Sequence, residues 1–274
     1  LNVTSGVEWT FEGGEPETST DINPVVTYSE SGFYPVKIKV FNGESSDSLT
    51  VSDYIVVLNS DEAPYAEDFE QQTDELADWV VSDPVQELTW TLNSSVGYQS
   101  NNSIFLENYS SIGNDQFEFT SQILDLSQLD TAFISMRAAY AKKPGGDYES
   151  LQVFIDPNCS GDWVFKKVFP SLGELPSAPT TDAFFVPENE DEWNYLVVDN
   201  ISAQERTESF RFKFVFANNG GNNLYLDDIN LSENNLLSTS EAREFQGEIN
   251  LYPNPTADDM TIELTLSTPQ TVSL

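Results

Sequence analysis

The stretch Phe210-Arg211-Phe212-Lys213-Phe214-Val215-Phe216 alternates phenylalanine with other side chains at a period of two. A β-strand is the regular element that sends successive residues to opposite faces, so this run sets one phenylalanine row against a core. The same period recurs at Val36-Lys37-Ile38-Lys39-Val40, Phe117-Glu118-Phe119 and Leu151-Gln152-Val153-Phe154-Ile155. Helical spacing is scarce, with Asp68 to Trp79 the single mild candidate. Turn clusters punctuate the strands, among them Gly13-Gly14-Glu15-Pro16, Pro144-Gly145-Gly146-Asp147 and the Asn/Gly run from Asn218 to Asn223. Short strands between such turns predict an all-β chain of sandwiches or jelly rolls.

Composition narrows the chemistry. The 274 residues include 46 Asp and Glu, 11 Lys and Arg, one Cys and no His, for a net charge of −35. Without histidine the chain cannot form a Ser-His-Asp or Cys-His pair or a His-based zinc site. A lone Cys159 excludes an internal disulfide and a cysteine-built metal cluster. Nucleic acid and anionic lipid are bound through Lys and Arg, so this charge excludes both as partners. It favours solubility and divalent cations held by carboxylate oxygens. The 39% hydrophobic and 12% aromatic content suffices for real cores, and there is no apolar run long enough for a transmembrane segment. The first residues carry no signal-peptide pattern, no initiator Met is present, and Val272-Ser273-Leu274 falls inside an alternating pattern. We expect a piece of a longer protein, in which case a missing catalytic motif says nothing about the remainder.

Two polar stretches, 59–64 and 232–247, divide the chain into modules at 1–58, 64–233 and 248–274. In the first, Val7-Glu8-Trp9-Thr10-Phe11-Glu12-Gly13-Gly14, Asn23-Pro24-Val25-Val26-Thr27-Tyr28 and Gly32-Phe33-Tyr34-Pro35-Val36-Lys37-Ile38-Lys39-Val40 resemble the polycystic-kidney-disease (PKD) repeat. The resemblance implies an immunoglobulin-like sandwich, N-terminally truncated, acting as a spacer or contact module. Where that family often reads Gly-Asp-Gly, this chain has Glu12-Gly13-Gly14, and no calcium role is carried to the turn. Alternation alone accounts for the aromatics here as core.

The second module opens with Pro64-Tyr65-Ala66-Glu67-Asp68-Phe69-Glu70 and closes with Leu224-Tyr225-Leu226-Asp227-Asp228-Ile229-Asn230-Leu231. This pairing resembles jelly rolls of the MAM, cleaved-adhesin and carbohydrate-binding type. In such a fold the first and last strands pair, which brings Glu70 close to Asp227 and Asp228. Converging carboxylates need a cation or a proton. The resemblance implies structural calcium, with Glu70, Asp227, Asp228 and Asp147 as ligands; the alternative is that these acids are solvated at a strand end. Paired carboxylates could hydrolyse a glycosidic bond without histidine, but the acids are spread through turns. Trp163 and Trp193 are candidate glycan-stacking residues, against the alternative that they pack within strands. Cys159 is a reactive thiol, half of a bond to a partner outside this sequence, or a small packed side chain.

The third stretch, with Leu251-Tyr252-Pro253-Asn254-Pro255-Thr256 ahead of Met260-Thr261-Ile262, resembles the start of the type A sorting domain of the type IX secretion system. The resemblance makes Tyr252, Pro253, Asn254 and Pro255 the sorting signal. It implies export by that machinery from a Bacteroidetes-type bacterium, with the protein secreted or fixed at the outer cell surface. After the two prolines, Ile262, Leu264 and Leu266 alternate as a new strand.

The order of modules resembles the C-terminal half of secreted zinc metallopeptidases of the cytophagalysin, or pregnancy-associated plasma protein-A-like, group. That resemblance implies a zinc-binding His-Glu-x-x-His helix upstream of Leu1, with zinc confined to that part and no catalytic residue in this segment. The expected function is therefore a non-catalytic accessory region giving spacing, stability and contact with an extracellular protein or glycan. The alternative is a surface adhesin or glycan-binding protein without peptidase activity.

Overall fold

Alternation becomes sheet throughout. In a computed structural model of the chain the described residues are 6–43, 45–71, 76, 79–82, 89–111, 113, 115–145 and 148–233, with backbone alone at 53, 82, 247–252 and 261–266. Strands β1 (Gly6–Phe11), β2 (Thr18–Ser19), β3 (Gly32–Phe41) and β4 (Ser46–Val57) form one sheet in the order β2-β1-β3-β4. The antiparallel register sets Trp9 opposite Ile38 and Ile38 opposite Leu49, then Phe11 opposite Val36 and Val36 opposite Val51. These residues therefore share one face. Phe11 and Val36 are buried, whereas Leu49 is 61% and Tyr54 64% exposed. Among the described residues no second sheet lies over this face, so the sandwich expected here is represented by one layer.

The following strand β5 (Ser60–Glu62) lies within the polar stretch read from sequence as a connector. It continues into β6 (Tyr65–Glu67), β7 (Trp79–Ser82), β8 (Trp90–Asn93), β9 (Ser103–Leu106), β10 (Gln116–Ser121) and β11 (Ile123–Asp125). Then come β12 (Phe133–Tyr140), β13 (Ser150–Asp156), β14 (Val164–Pro170), β15 (Asn194–Val198), β16 (Arg211–Ala217) and β17 (Leu224–Ser232). β5 pairs in parallel with β11, and the Ala63 N–H donates to the Asp125 carbonyl, so the connector is bound into the larger module. The helix candidate from Asp68 to Trp79 is a turn at its start, and Trp79 opens β7; residues 72–75 and 77–78 lie outside the described residues.

Two sheets build the larger module, a jelly-roll-like sandwich. One runs β14-β13-β16-β10-β7; the other runs β15-β12-β17-β9-β8, with β6 added beside β17. Phe212, Phe214 and Phe216 of β16, Phe117 and Phe119 of β10, and Leu151, Val153 and Ile155 of β13 all turn inward and are buried. Ile134, Met136 and Ala138 of β12 and Leu226, Ile229 and Leu231 of β17 supply the facing sheet. Trp79 stacks on Phe119 with ring centroids 4.2 Å apart. Each such side chain withdrawn from water stabilises by about 1.5–3 kcal/mol, so the phenylalanine rows anchor the module. No helix among the described residues is long and apolar enough to cross a membrane.

At the C-terminal end β18 (Gly247–Tyr252) and β19 (Thr261–Leu266) form an antiparallel pair with Leu251 opposite Ile262. The strand expected after the prolines is thus β19. Tyr252 ends β18, while Pro253, Asn254 and Pro255 lie outside the described residues.

Candidate functional site

The pairing of β6 with β17 sets Glu67 opposite Ile229 and Ala66 opposite Asn230, which carries the next residues of the chain to the edge of β17. Just beyond β6 the backbone turns sharply. Phe69 adopts a left-handed φ of 58° and is buried, the Phe69 N–H donates to Glu67 Oε1 (2.7 Å), and the Glu70 N–H donates to Asp68 Oδ1 (3.1 Å). That turn aims Glu70 at the loop between β8 and β9, where Glu70 Oε1 accepts from the N–H groups of Asn101 (3.0 Å) and Asn102 (2.7 Å). Asn102 Nδ2 returns a bond to the Phe69 carbonyl (2.8 Å).

From the other side, Asp227 holds the same loop. Its Oδ2 accepts from the Tyr98 N–H (2.7 Å) and the Ser100 hydroxyl (3.1 Å), and its Oδ1 accepts from the Asp228 N–H (2.7 Å). Residues 98–102 are therefore clipped between two carboxylates on different strands. Gly97 permits the bend, since a Cβ there would fall on Ser100 Oγ and the Asn102 carbonyl. Burial pushes the Asp227 carboxyl up to about 8, and the neighbouring Asp228 charge adds to the rise against the opposing pull of the donors from Tyr98, Asp228 and Ser100.

Of the four sequence-derived calcium candidates, Glu70 and Asp227 reach one loop, Asp228 follows Asp227 at a left-handed φ of 46°, and Asp147 lies outside the described residues. Among the described residues no three acidic, histidine or cysteine side chains gather as a metal cage. The fit to a hard cation rests on oxygen chemistry alone. Asn230 Nδ2 donates to the Asp228 carbonyl (2.7 Å), and Asn230 Oδ1 is buried with no hydrogen-bond partner. Amide, carboxylate and carbonyl oxygens are the donor types that calcium takes.

Trp193 does not project. It is 6% exposed, with its ring centroid 6.3 Å from those of Tyr98 and Tyr225, on the outer face of the β12–β17 sheet. The connection from β14 to β15 folds back over that face and buries it, so the ring has little surface left for a sugar. Beside it the Arg137 guanidinium lies 4.1 Å from the Tyr98 ring centroid and 5.1 Å from that of Tyr195.

Trp163 is half-buried on the outer face of the other sheet, over Lys213 (4.6 Å from Nζ to the ring centroid) and Arg211 (5.1 Å). The preceding loop is fixed by Asp156, a buried acid that the sequence reading did not single out. Its carboxylate accepts from the Ser160 N–H (2.9 Å), the Gly161 N–H (2.8 Å) and Arg211 (2.9 Å). Burial alone would raise this carboxyl, but these donors together hold it below the usual carboxylate value. The turn-forming run Asp156-Pro157-Asn158-Cys159-Ser160-Gly161 was the available signal. Cys159 is exposed at a φ of 50° and forms no disulfide.

Glu149 was missed as well. It is buried, and its Oε1 accepts from Asn108 Nδ2 (2.7 Å) and the N–H groups of Asn219 (3.0 Å) and Gly221 (2.7 Å), while the Tyr140 hydroxyl bonds its Oε2. Burial and the Glu149 charge raise the Tyr140 hydroxyl and keep it protonated.

No protein-family profile and no curated protein matches the chain. Among solved structures, the K2 cleaved adhesin domain of Lys-gingipain aligns at 18% identity over 62% of this chain and 98% of its own, with a TM-score of 0.46. The K1 cleaved adhesin domain of Lys-gingipain from Porphyromonas gingivalis W83 aligns at 14% over 63% and 99%, with a TM-score of 0.44. CBM27-1 of Caldicellulosiruptor saccharolyticus, solved with mannohexaose, aligns at 13% over 62% and 97%, with a TM-score of 0.43. Likenesses this distant do not carry a function. The class defined by the chain's own fold is an all-β protein whose larger part is a two-sheet, jelly-roll-like sandwich.

Proposed function

We propose that the chain is a non-catalytic binding and spacing region of an exported protein. The observation that supports this most directly is the use made of the buried acids. Asp156, Asp227 and Glu149 each spend their oxygens on N–H, hydroxyl, amide or guanidinium donors that fix loops. Acid–base hydrolysis instead asks for a pair of acids facing each other across the substrate. In this reading calcium is structural and is held at the 98–102 loop by Glu70, Asp227 and Asp228. It cancels carboxylate repulsion and takes no part in chemistry.

The sequence resemblances give the setting: an upstream zinc peptidase, outer-surface or secreted location, and export through the type IX machinery by the signal around Tyr252. The test compares the parent polypeptide with and without residues 64–233. Hydrolysis of a short soluble peptide should be unchanged, while turnover of an insoluble or cell-bound protein should fall about tenfold. Hydrolysis by the purified 274-residue chain itself would sink the non-catalytic reading. A surface adhesin or glycan-binding protein without peptidase is the second reading, and the half-buried Trp163 on an open sheet face favours it.

A further inference from the structure

The outer face of the sheet β14-β13-β16-β10-β7 differs from the rest of this acidic molecule. Cross-strand register sets Phe165 opposite Phe154 and Phe154 opposite Lys213, so three adjacent strands carry two aromatic rings and a lysine in one row, the lysine itself buried beneath its neighbours. Neighbouring strands lie about 4.8 Å apart, which spaces this row over roughly 10 Å. Phe165 is 51% exposed, and its ring meets that of Phe154 at 5.5 Å and 70°. Trp163 closes one end, with Lys213 Nζ 4.6 Å from its ring centroid and 5.8 Å from that of Phe154. The next row carries Val168 at 41% exposure beside Gln152.

The charges on this strip are already matched. Arg211 pairs with Asp156 at 2.9 Å and Lys213 with Glu118 at 2.8 Å. Among the described residues of this strip both cations are thus paired rather than free to draw in an anionic polymer, and the net charge of −35 repels one. Aromatic rings interleaved with neutralised polar groups suit a ligand with apolar C–H faces and many uncharged hydroxyls. Sugars stack on such rings, and their hydroxyls bond to flanking carboxylate and amide oxygens such as those of Glu118 and Gln152.

Resting on the glycan-binding reading of Trp163, we infer that this strip binds a neutral polysaccharide along Trp163, Phe154 and Phe165, and that Trp193 takes no part. The experiment is native affinity electrophoresis of the full chain in gels containing xylan, galactomannan or mixed-linkage β-glucan, with polygalacturonate and heparin as acidic counterparts. At least one neutral polymer should retard the chain and neither acidic one should. Trp163→Ala should weaken retardation at least tenfold. Phe165→Ser, at an exposed position that leaves folding intact, should weaken it several-fold, with thermal melting run on both variants. Retardation by no polymer overturns the glycan reading itself. Neutral retardation that survives both substitutions overturns the strip while leaving glycan binding in place. Retardation by the acidic polymers alone overturns the neutral class.

Discussion

Asp227 keeps a fully buried carboxylate in a chain rich in exposed ones, and its titration exposes what the 98–102 loop costs. Its folded-state pKa, about 8, stands above the ordinary 3.8, so between those values the folded chain holds a proton that the unfolded chain has released. Stability from this group is therefore present below about pH 4 and declines as pH rises toward about 8. Asp156 and Glu205 act in the opposite sense: their lowered pKa values contribute above the ordinary carboxylate range and are lost only as pH falls through it. In chelator, Asp227→Asn should raise the thermal midpoint by about 4 °C at pH 8.5 and change it little at pH 5.5. In the proposed site a calcium ion would replace the proton, so calcium at pH 8.5 should raise the wild-type midpoint by several degrees but not that of Asp228→Asn. A wild-type midpoint indifferent to calcium removes the ion from this loop, and equal effects of Asp227→Asn at both pH values remove the buried charge.

At the scale of elements, period two was the readable signal. The row Phe212, Phe214 and Phe216 is buried as the alternation requires, and the pairing of β6 with β17 is the one that the jelly-roll resemblance of the module's two ends implied. Loop geometry was not legible in the same way. Asp156 and Glu149 look like any of 46 acids in sequence, and Asp227 stood out only through the jelly-roll resemblance, because what distinguishes them is the set of backbone N–H groups turned toward them, and backbone direction leaves no mark on residue identity. Trp193 shows why the sequence left stacking and packing both open, since a tryptophan beside a strand stays open or closed according to a connection more than twenty residues long. Glycine is the partial exception. In the connection between β16 and β17, a methyl group at Gly221 would fall on the Glu149 carboxylate, which already receives the Gly221 N–H. Gly221→Ala must displace that acid from Asn108, Asn219 and Tyr140 together. It should destabilise by about 3 kcal/mol in urea unfolding, whereas Gly145→Ala, with open space around it, should cost only the strain of a side chain at its left-handed φ of 79°, about 1 kcal/mol. Equal costs at the two glycines would show that Glu149 is not the constraint.

Over the whole molecule, charge and apolar exposure offset each other. The face of the N-terminal sheet carries Trp9, Ile38, Leu49 and Tyr54 around a shallow apolar depression of about 200 Å³, and contiguous apolar surface of this kind promotes association. A net charge of −35 opposes contact between any two copies, and that opposition depends on ionised carboxylates. It weakens as the pH approaches the sequence pI of about 4.1, while the larger module keeps its paired acids until lower pH. The chain should therefore be monomeric by light scattering at pH 7.5 and should associate reversibly between about pH 5 and pH 4, before the larger module unfolds. Leu49→Lys with Tyr54→Lys places two cations on the exposed strand β4 and should abolish that association without moving the main thermal transition. Association of the double variant to the same extent would assign the contact to another surface, and a lowered main transition would show that β4 is packed in solution. Either result separates the two opposing properties, because the substitutions change the apolar face directly and the net charge by only a few units.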